Sequence, residues 1–135
     1  MSQALTNPIF LDLTELKFEE DDFTIQFNEI SQNYGIKFKR MYFLKSGKIQ
    51  SVRGKHAHLN QDQVFLKFNG EITVTLIDLF GLETILTLNE KPLFVPKNYW
   101  IELSFEPNST LLCLATKAYT ELKTISDKTQ FLNQK

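Results

Sequence analysis

Apolar and polar residues alternate with period two along most of this chain. The alternation runs through Phe23–Phe27, Lys37–Phe43, Val64–Phe68, Glu71–Ile77 and Glu83–Leu88. Strand side chains point to opposite faces in turn, so the pattern predicts half-buried strands. Turn residues break it at Asn33-Tyr-Gly35, Ser46-Gly47, Asn69-Gly70, Phe80-Gly81, Asn89–Pro92 and Pro107-Asn108. Leu93-Phe-Val-Pro96 is a short apolar run stopped by proline, and Tyr99–Phe105 and Thr110–Thr116 read as two more strands. Many short strands between regular turns predict an all-β antiparallel sandwich or barrel. After Thr116 the period changes. Leu122, Ile125 and Phe131-Leu132 are expected to form one side of a short C-terminal helix over a sheet edge.

Composition narrows this picture. The 135 residues suit a single domain spanning 1–135, and twelve phenylalanines suit half-buried pleated surfaces. Fifteen Lys and Arg against sixteen Asp and Glu leave a net charge of −1, which gives no footprint for nucleic acid or an anionic membrane. The acidic run Glu19–Asp22 reads as a solvated hairpin turn. A single cysteine, Cys113, excludes an intrachain disulfide and reads as a small buried hydrophobe. The first eight residues have no basic stretch followed by an apolar core, so no signal peptide is expected. No apolar run is long enough to span a bilayer, and a cytoplasmic protein is the expectation.

The chemistry-bearing stretch is Arg53–Gly70. It holds the only two histidines, His56 and His58, two residues apart. On a strand both imidazoles point to one face. Three uses are open: metal binding, acid–base work near neutral pH, or hydrogen bonding in a polar core.

His56-Ala-His58, four residues, Gln63, six residues and Gly70 resemble the first motif of the cupins. That resemblance implies a double-stranded β-helix, the jelly-roll barrel. Gln63 stands where the cupin metal ligand Glu belongs, and the Pro96-Lys-Asn98 turn is followed by no third histidine. A neutral amide is a poor ligand for a divalent cation. No metal and no cofactor are therefore expected, and the histidine pair is left for proton transfer.

A narrower resemblance is to the sugar nucleotide 3,4-ketoisomerases. It is carried by Lys39-Arg-Met-Tyr-Phe43, Arg53-Gly-Lys-His-Ala-His58, Gln63-Val with Asn69-Gly70, Val95–Phe105, and Leu112–Thr116 with Tyr119–Glu121 and Ile125–Asp127. Together these cover roughly residues 37 to 131. The resemblance implies an isomerase that moves a carbonyl from C4 to C3 of a dTDP-linked 4-keto-6-deoxyhexose through an enediolate. Its product would feed a 3-amino-3,6-dideoxyhexose for a surface glycan. The implied catalytic residues are His56, His58 and Tyr42. The implied substrate-binding residues are Arg53 and Arg40 on the diphosphate, Gln63 on a histidine or the sugar, Trp100 stacked on the base or sugar, and Glu102 orienting a histidine. In an unbulged strand Phe38, Arg40 and Tyr42 share one face. Departures from the family pattern are Glu19–Phe23 where an Asp-x-Arg-Gly turn is usual, Ile101 after the tryptophan, and Thr124 and Ser126 where tyrosine and arginine are common. A homodimer made through the N-terminal strands is also expected. The competing readings are a non-catalytic sugar-nucleotide-binding cupin, an epimerase on the same keto-sugars, and a metal-dependent cupin oxygenase.

Overall fold

Two five-stranded antiparallel sheets face each other across one apolar layer. The computed structural model describes residues 5–12, 17–19, 22–24 and 27–134, with the backbone alone described at 17–19, 22–24 and 27–29. The strands are β1 (Ile9–Phe10), β2 (Lys17–Glu19), β3 (Asp22–Thr24), β4 (Arg40–Lys45), β5 (Ser51–His58) and β6 (Gln63–Asn69). They continue as β7 (Ile72–Ile77), β8 (Glu83–Thr87), β9 (Leu93–Val95), β10 (Trp100–Phe105), β11 (Thr110–Ala115) and β12 (Thr124–Ile125). The helices are α1 (Phe27–Tyr34) and α2 (Lys128–Leu132). The first sheet has the order β1-β9-β6-β11-β4 and the second β12-β5-β10-β7-β8, while β2 and β3 form a separate hairpin. This is the expected all-β, cupin-like architecture, built as two facing sheets rather than a closed barrel.

The alternation explains which faces meet. Phe65, Leu111 and Cys113 of the first sheet and Val74, Leu76, Leu103 and Phe105 of the second fill the layer between the sheets. The outer face of the first sheet is also covered. There Val64, Leu66, Leu112 and Leu114 meet Leu11, Ile30 and Ile36. Strand β11 is therefore buried at every position, which is why its sequence is a continuous apolar run. The second sheet is covered on its outer face only at one end, where Ala57, Ile77 and Trp100 meet Phe131 of α2.

Several turns follow the glycines. Gly70 and Gly81 have φ of +83° and +85°, a region that residues with a Cβ rarely enter. The acidic run ends β2 at Glu19 and starts β3 at Asp22, which pair as the expected hairpin, and Glu20 and Asp21 lie outside the described residues. Two expectations are corrected. The strand read over Phe23–Phe27 ends at Thr24, residues 25 and 26 lie outside the described residues, and a helix starts at Phe27. The C-terminal helix is shorter than the apolar spacing implied. Only Phe131 and Leu132 belong to it, and Ile125 pairs as β12 with Ala57 of β5. Asp127 accounts for this boundary, because its carboxylate caps the helix by accepting from the Gln130 amide at 3.0 Å. No described helix is long and apolar enough to cross a membrane.

Among the described residues β4 pairs only with β11, and β5 only with β10 and β12. The two consecutive strands therefore border a seam that no backbone ladder closes. Arg53 crosses it, donating from Nη2 to the Lys45 carbonyl at 3.2 Å.

Candidate active site

The site begins with a backbone irregularity in β5. The β5–β10 register slips between Ile101 and Glu102, leaving Lys55 unpaired between Gly54 and His56. Gly54 and Lys55 both take positive φ, +88° and +59°. A Cβ on Gly54 would stand 2.7 Å from the Ile101 carbonyl oxygen, so this approach requires glycine. The bulge resets the alternation. His56 pairs with Ile101, Arg53 with Leu103, and Ala57 with Trp100. His56 thereby joins the inner face of the second sheet.

Beyond the bulge the two imidazoles meet. Their Nε2 atoms are 3.1 Å apart and their ring centroids 4.6 Å apart. The hydrogen-bond partners define the tautomers. His56 Nδ1 lies 3.0 Å from the Gly54 carbonyl, which only accepts, so Nδ1 carries the proton. Neutral His56 then accepts at Nε2, and His58 donates from its own Nε2. His58 Nδ1 is left as an acceptor, and the Thr124 hydroxyl faces it at 3.4 Å. A directed row of donors thus runs from Thr124 through His58 and His56 to Gly54.

Strand β4 supplies the opposite wall. The Tyr42 hydroxyl accepts from Gln63 Nε2 at 3.0 Å. The Arg40 guanidinium lies 4.8 Å from the Tyr42 ring centre and 5.7 Å from that of Tyr119. Its Nη2 donates to Gln61 Oε1 at 3.3 Å. A cavity of about 40 Å³ adjoins the group, lined by Tyr42, His56 and Gln63 with Leu44, Phe65 and Ile101. It has room for a few waters and is far smaller than a typical ligand pocket of about 300–1,000 Å³.

Burial controls the charges here. It lowers the basicity of His56, opposed by the Gly54 carbonyl. Burial, His56 and the Arg40 guanidinium together push His58 down to about 4. Both rings are therefore neutral at pH 7, in agreement with the tautomers above. Burial raises the Tyr42 phenol well above its usual range, so it remains a proton donor. Cys113 pairs with Tyr42, and burial pushes its thiol up to about 12. It is a core residue, as expected, and not an activated thiol.

The structure brings together five of the eight residues that the sequence singled out: His56, His58, Tyr42, Gln63 and Arg40. Gln63 is bonded to Tyr42 and not to a histidine. Arg53 shares the inner face in register but is exposed at the seam. Trp100 and Glu102 lie on the other face of β10, away from the histidines. Trp100 packs against Phe131 with ring centres 6.1 Å apart, and its indole N–H donates to Glu102 Oε2 at 2.9 Å. Parity separates them, because Trp100 pairs with Ala57 while His56 pairs with Ile101. Among the described residues no group of three His, Cys, Asp or Glu side chains could hold a metal ion. Sequence reasoning missed two contributors. Gln61 is buried and fixes Arg40, and only its position two residues before Gln63 hinted at a shared face. Thr124 was noted as a departure from a family pattern but given no partner.

Similarity to known proteins agrees with this geometry. A TDP-fucose 3,4-ketoisomerase from Campylobacter jejuni superposes with a TM-score of 0.78 at 24% identity, covering 94% of each chain. A 3,4-ketoisomerase from Helicobacter canadensis gives 0.75 at 27% identity over 93% of each. The sugar 3,4-ketoisomerase QdtA from Thermoanaerobacterium thermosaccharolyticum, solved with TDP, gives 0.63 at 27% identity over 70% of this chain and 71% of its own. No curated protein sequence matches. The model of the FdtA family, described as WxcM-like, C-terminal, matches residues 8–135, and the chain belongs to that family.

Proposed function

We propose that this protein is a sugar nucleotide 3,4-ketoisomerase acting on dTDP-4-keto-6-deoxy-D-glucose. The observation that carries the reading is the neutral pair of half-buried His56 and buried His58 beside Tyr42. Moving the ketone from C4 to C3 requires a base for the C3 proton, an acid for C4 and a donor for the enediolate oxygen. His56 is the base. The Gly54 carbonyl accepts from its Nδ1–H and favours the imidazolium, whereas Arg40 disfavours a cation on His58. Its Nε2 lone pair accepts from His58 in the free protein and is released when His58 carries its proton on Nδ1 instead. Tyr42 donates to the enediolate oxygen, and Arg40 adds positive charge beside it.

The hexose enters through the open seam between β4 and β5, since the inner cavity is too small to contain it. Arg53, exposed at that seam, meets the diphosphate, for which a guanidinium offers paired donors. The 3-keto product has the functional group that amination at C3 requires. In this reading the enzyme acts before an aminotransferase, in the cytoplasm, on the way to a 3-amino-3,6-dideoxyhexose. Met41 and Phe43 are more than half exposed on β4, a strand that pairs on one side only among the described residues, and support a homodimer.

The test is incubation with dTDP-4-keto-6-deoxyglucose in D₂O, followed by NMR. The reading requires a 3-keto product with deuterium at C4. Binding of dTDP with no exchange would instead make this a non-catalytic binding protein. Exchange with the ketone left at C4 would make it an epimerase.

A further inference from the structure

We infer that Thr124 is the outer end of a proton wire that connects His56 to solvent through His58. The inference rests on the isomerase reading for its catalytic consequence and on geometry for its path. Thr124 pairs with His58 in the β12–β5 ladder, so the two side chains share a face. Thr124 is exposed and His58 is buried, which makes the pair a link between bulk water and the interior. The segment before Thr124 is fixed. Leu59 N–H donates to the Lys123 carbonyl at 2.8 Å, and Lys123 N–H donates to Asn60 Oδ1 at 3.0 Å.

The donor directions agree along the whole path. The Thr124 hydroxyl donates to His58 Nδ1 at 3.4 Å, and His58 Nε2–H donates to His56 Nε2 at 3.1 Å. Loading His56 takes three concerted moves. The Nε2 proton of His58 passes to His56 Nε2. The hydroxyl proton of Thr124 passes to His58 Nδ1. A solvent proton restores the hydroxyl. His56 gains one proton and water loses one, with His58 and Thr124 unchanged in charge. Loading leaves the His58 proton on Nδ1, pointing at Thr124, and once His56 has given its proton to C4 this state carries the next proton outward. The proton that His56 takes from C3 then passes from its Nε2 to His58 Nε2, the His58 Nδ1 proton passes to the Thr124 oxygen, and the hydroxyl proton passes to water. The Gly54 carbonyl holds the far end, because it keeps His56 Nδ1–H fixed while Nε2 changes state. Thr124 bonds to His58 and acts through it, so its role is to position and relay.

The wire gives the abstracted proton two fates: direct return to C4, or exchange with water. Thr124→Val keeps the shape and removes the hydroxyl. In a single turnover in D₂O, the product of Thr124→Val should retain several-fold more of the substrate's C3 protium at C4 than the wild-type product. Thr124→Ser should restore the wild-type isotope content, and Thr124→Ala serves if the valine variant does not fold. A residue needed only for packing would change stability or rate without changing that partition. Equal C4 deuterium in the wild type and the valine variant overturns the wire. If the wild type forms no 3-keto product, the isomerase reading fails by itself. The wire is then decided by NMR of ¹⁵N-histidine-labelled protein, where exchange of the His58 ring proton with water should slow several-fold in Thr124→Val. An unchanged exchange rate overturns it.

Discussion

The two faces of strands β5 and β10 do different work, although their residues are interleaved in sequence. On the inner face His56 pairs with Ile101, and the histidines meet beside Tyr42 and Gln63. On the outer face Ala57 pairs with Trp100, which is buried under Phe131 and bonded to Glu102. One face holds polar groups at the edge of a small cavity. The other closes a dry contact between the sheet and α2. Trp100 and Glu102 therefore support the strand that carries the histidines, and the inner residues are the ones we propose act on the substrate.

The comparison predicts opposite outcomes for substitutions one or two residues apart. His56→Asn should lower turnover by about 10²–10⁴-fold while the protein stays folded. Circular dichroism and dTDP binding should be unchanged. Tyr42→Phe should have the next largest effect, about tenfold or more on kcat. It also leaves the Gln63 amide without an acceptor, for about 1–3 kcal/mol of stability. Trp100→Ala should behave in the reverse way. Loss of a large buried side chain should lower stability by about 3–5 kcal/mol in urea unfolding. Its kcat per folded molecule should stay within about twofold, since the inner-face geometry is untouched. Glu102→Gln should be smallest, under about 1 kcal/mol, because the amide oxygen still accepts from the indole. A tenfold loss of kcat in the folded Trp100 or Glu102 variants would erase the distinction between the faces.

Acid provides a further way to separate them. Both histidines have folded-state pKa values below the unfolded value of 6.5, His58 at about 4. The unfolded chain binds more protons in that window, so stability falls as pH drops from 6.5 toward 4. The slope should reach about 1.4 kcal/mol per pH unit for each titrating histidine. His58→Asn should flatten it, and Trp100→Phe should lower the whole curve without changing its slope.

How far the sequence carries the reader differs between these elements. The strands were legible because period-two alternation and glycine or asparagine turns report directly on pleat and hairpin. The shared face of His56 and His58 followed from parity alone. Helix α1 was hidden because Phe23, Ile25 and Phe27 prolong an alternating pattern up to its first residue. The bulge was only half visible. Gly54 is a natural site for one, but nothing in the identity of Lys55 announces its positive φ. The face of Trp100 was in fact readable. Ile101, Leu103 and Phe105 form the apolar parity of β10, which leaves Trp100 and Glu102 on the opposite side. Family resemblance pointed the other way because it aligns positions without saying which surface they face. Thr124 could not be placed, since its partner lies 66 residues away and only the β12–β5 pairing joins them.

The central claim is that a neutral His56–His58 pair on the inner face moves the C3 proton of a keto-sugar. The most direct test follows dTDP-4-keto-6-deoxyglucose in D₂O by NMR, with wild-type protein, His56→Asn and Trp100→Phe measured side by side. The account predicts a C4-deuterated 3-keto product from the wild type and Trp100→Phe, and none from His56→Asn. Full turnover by His56→Asn would contradict it.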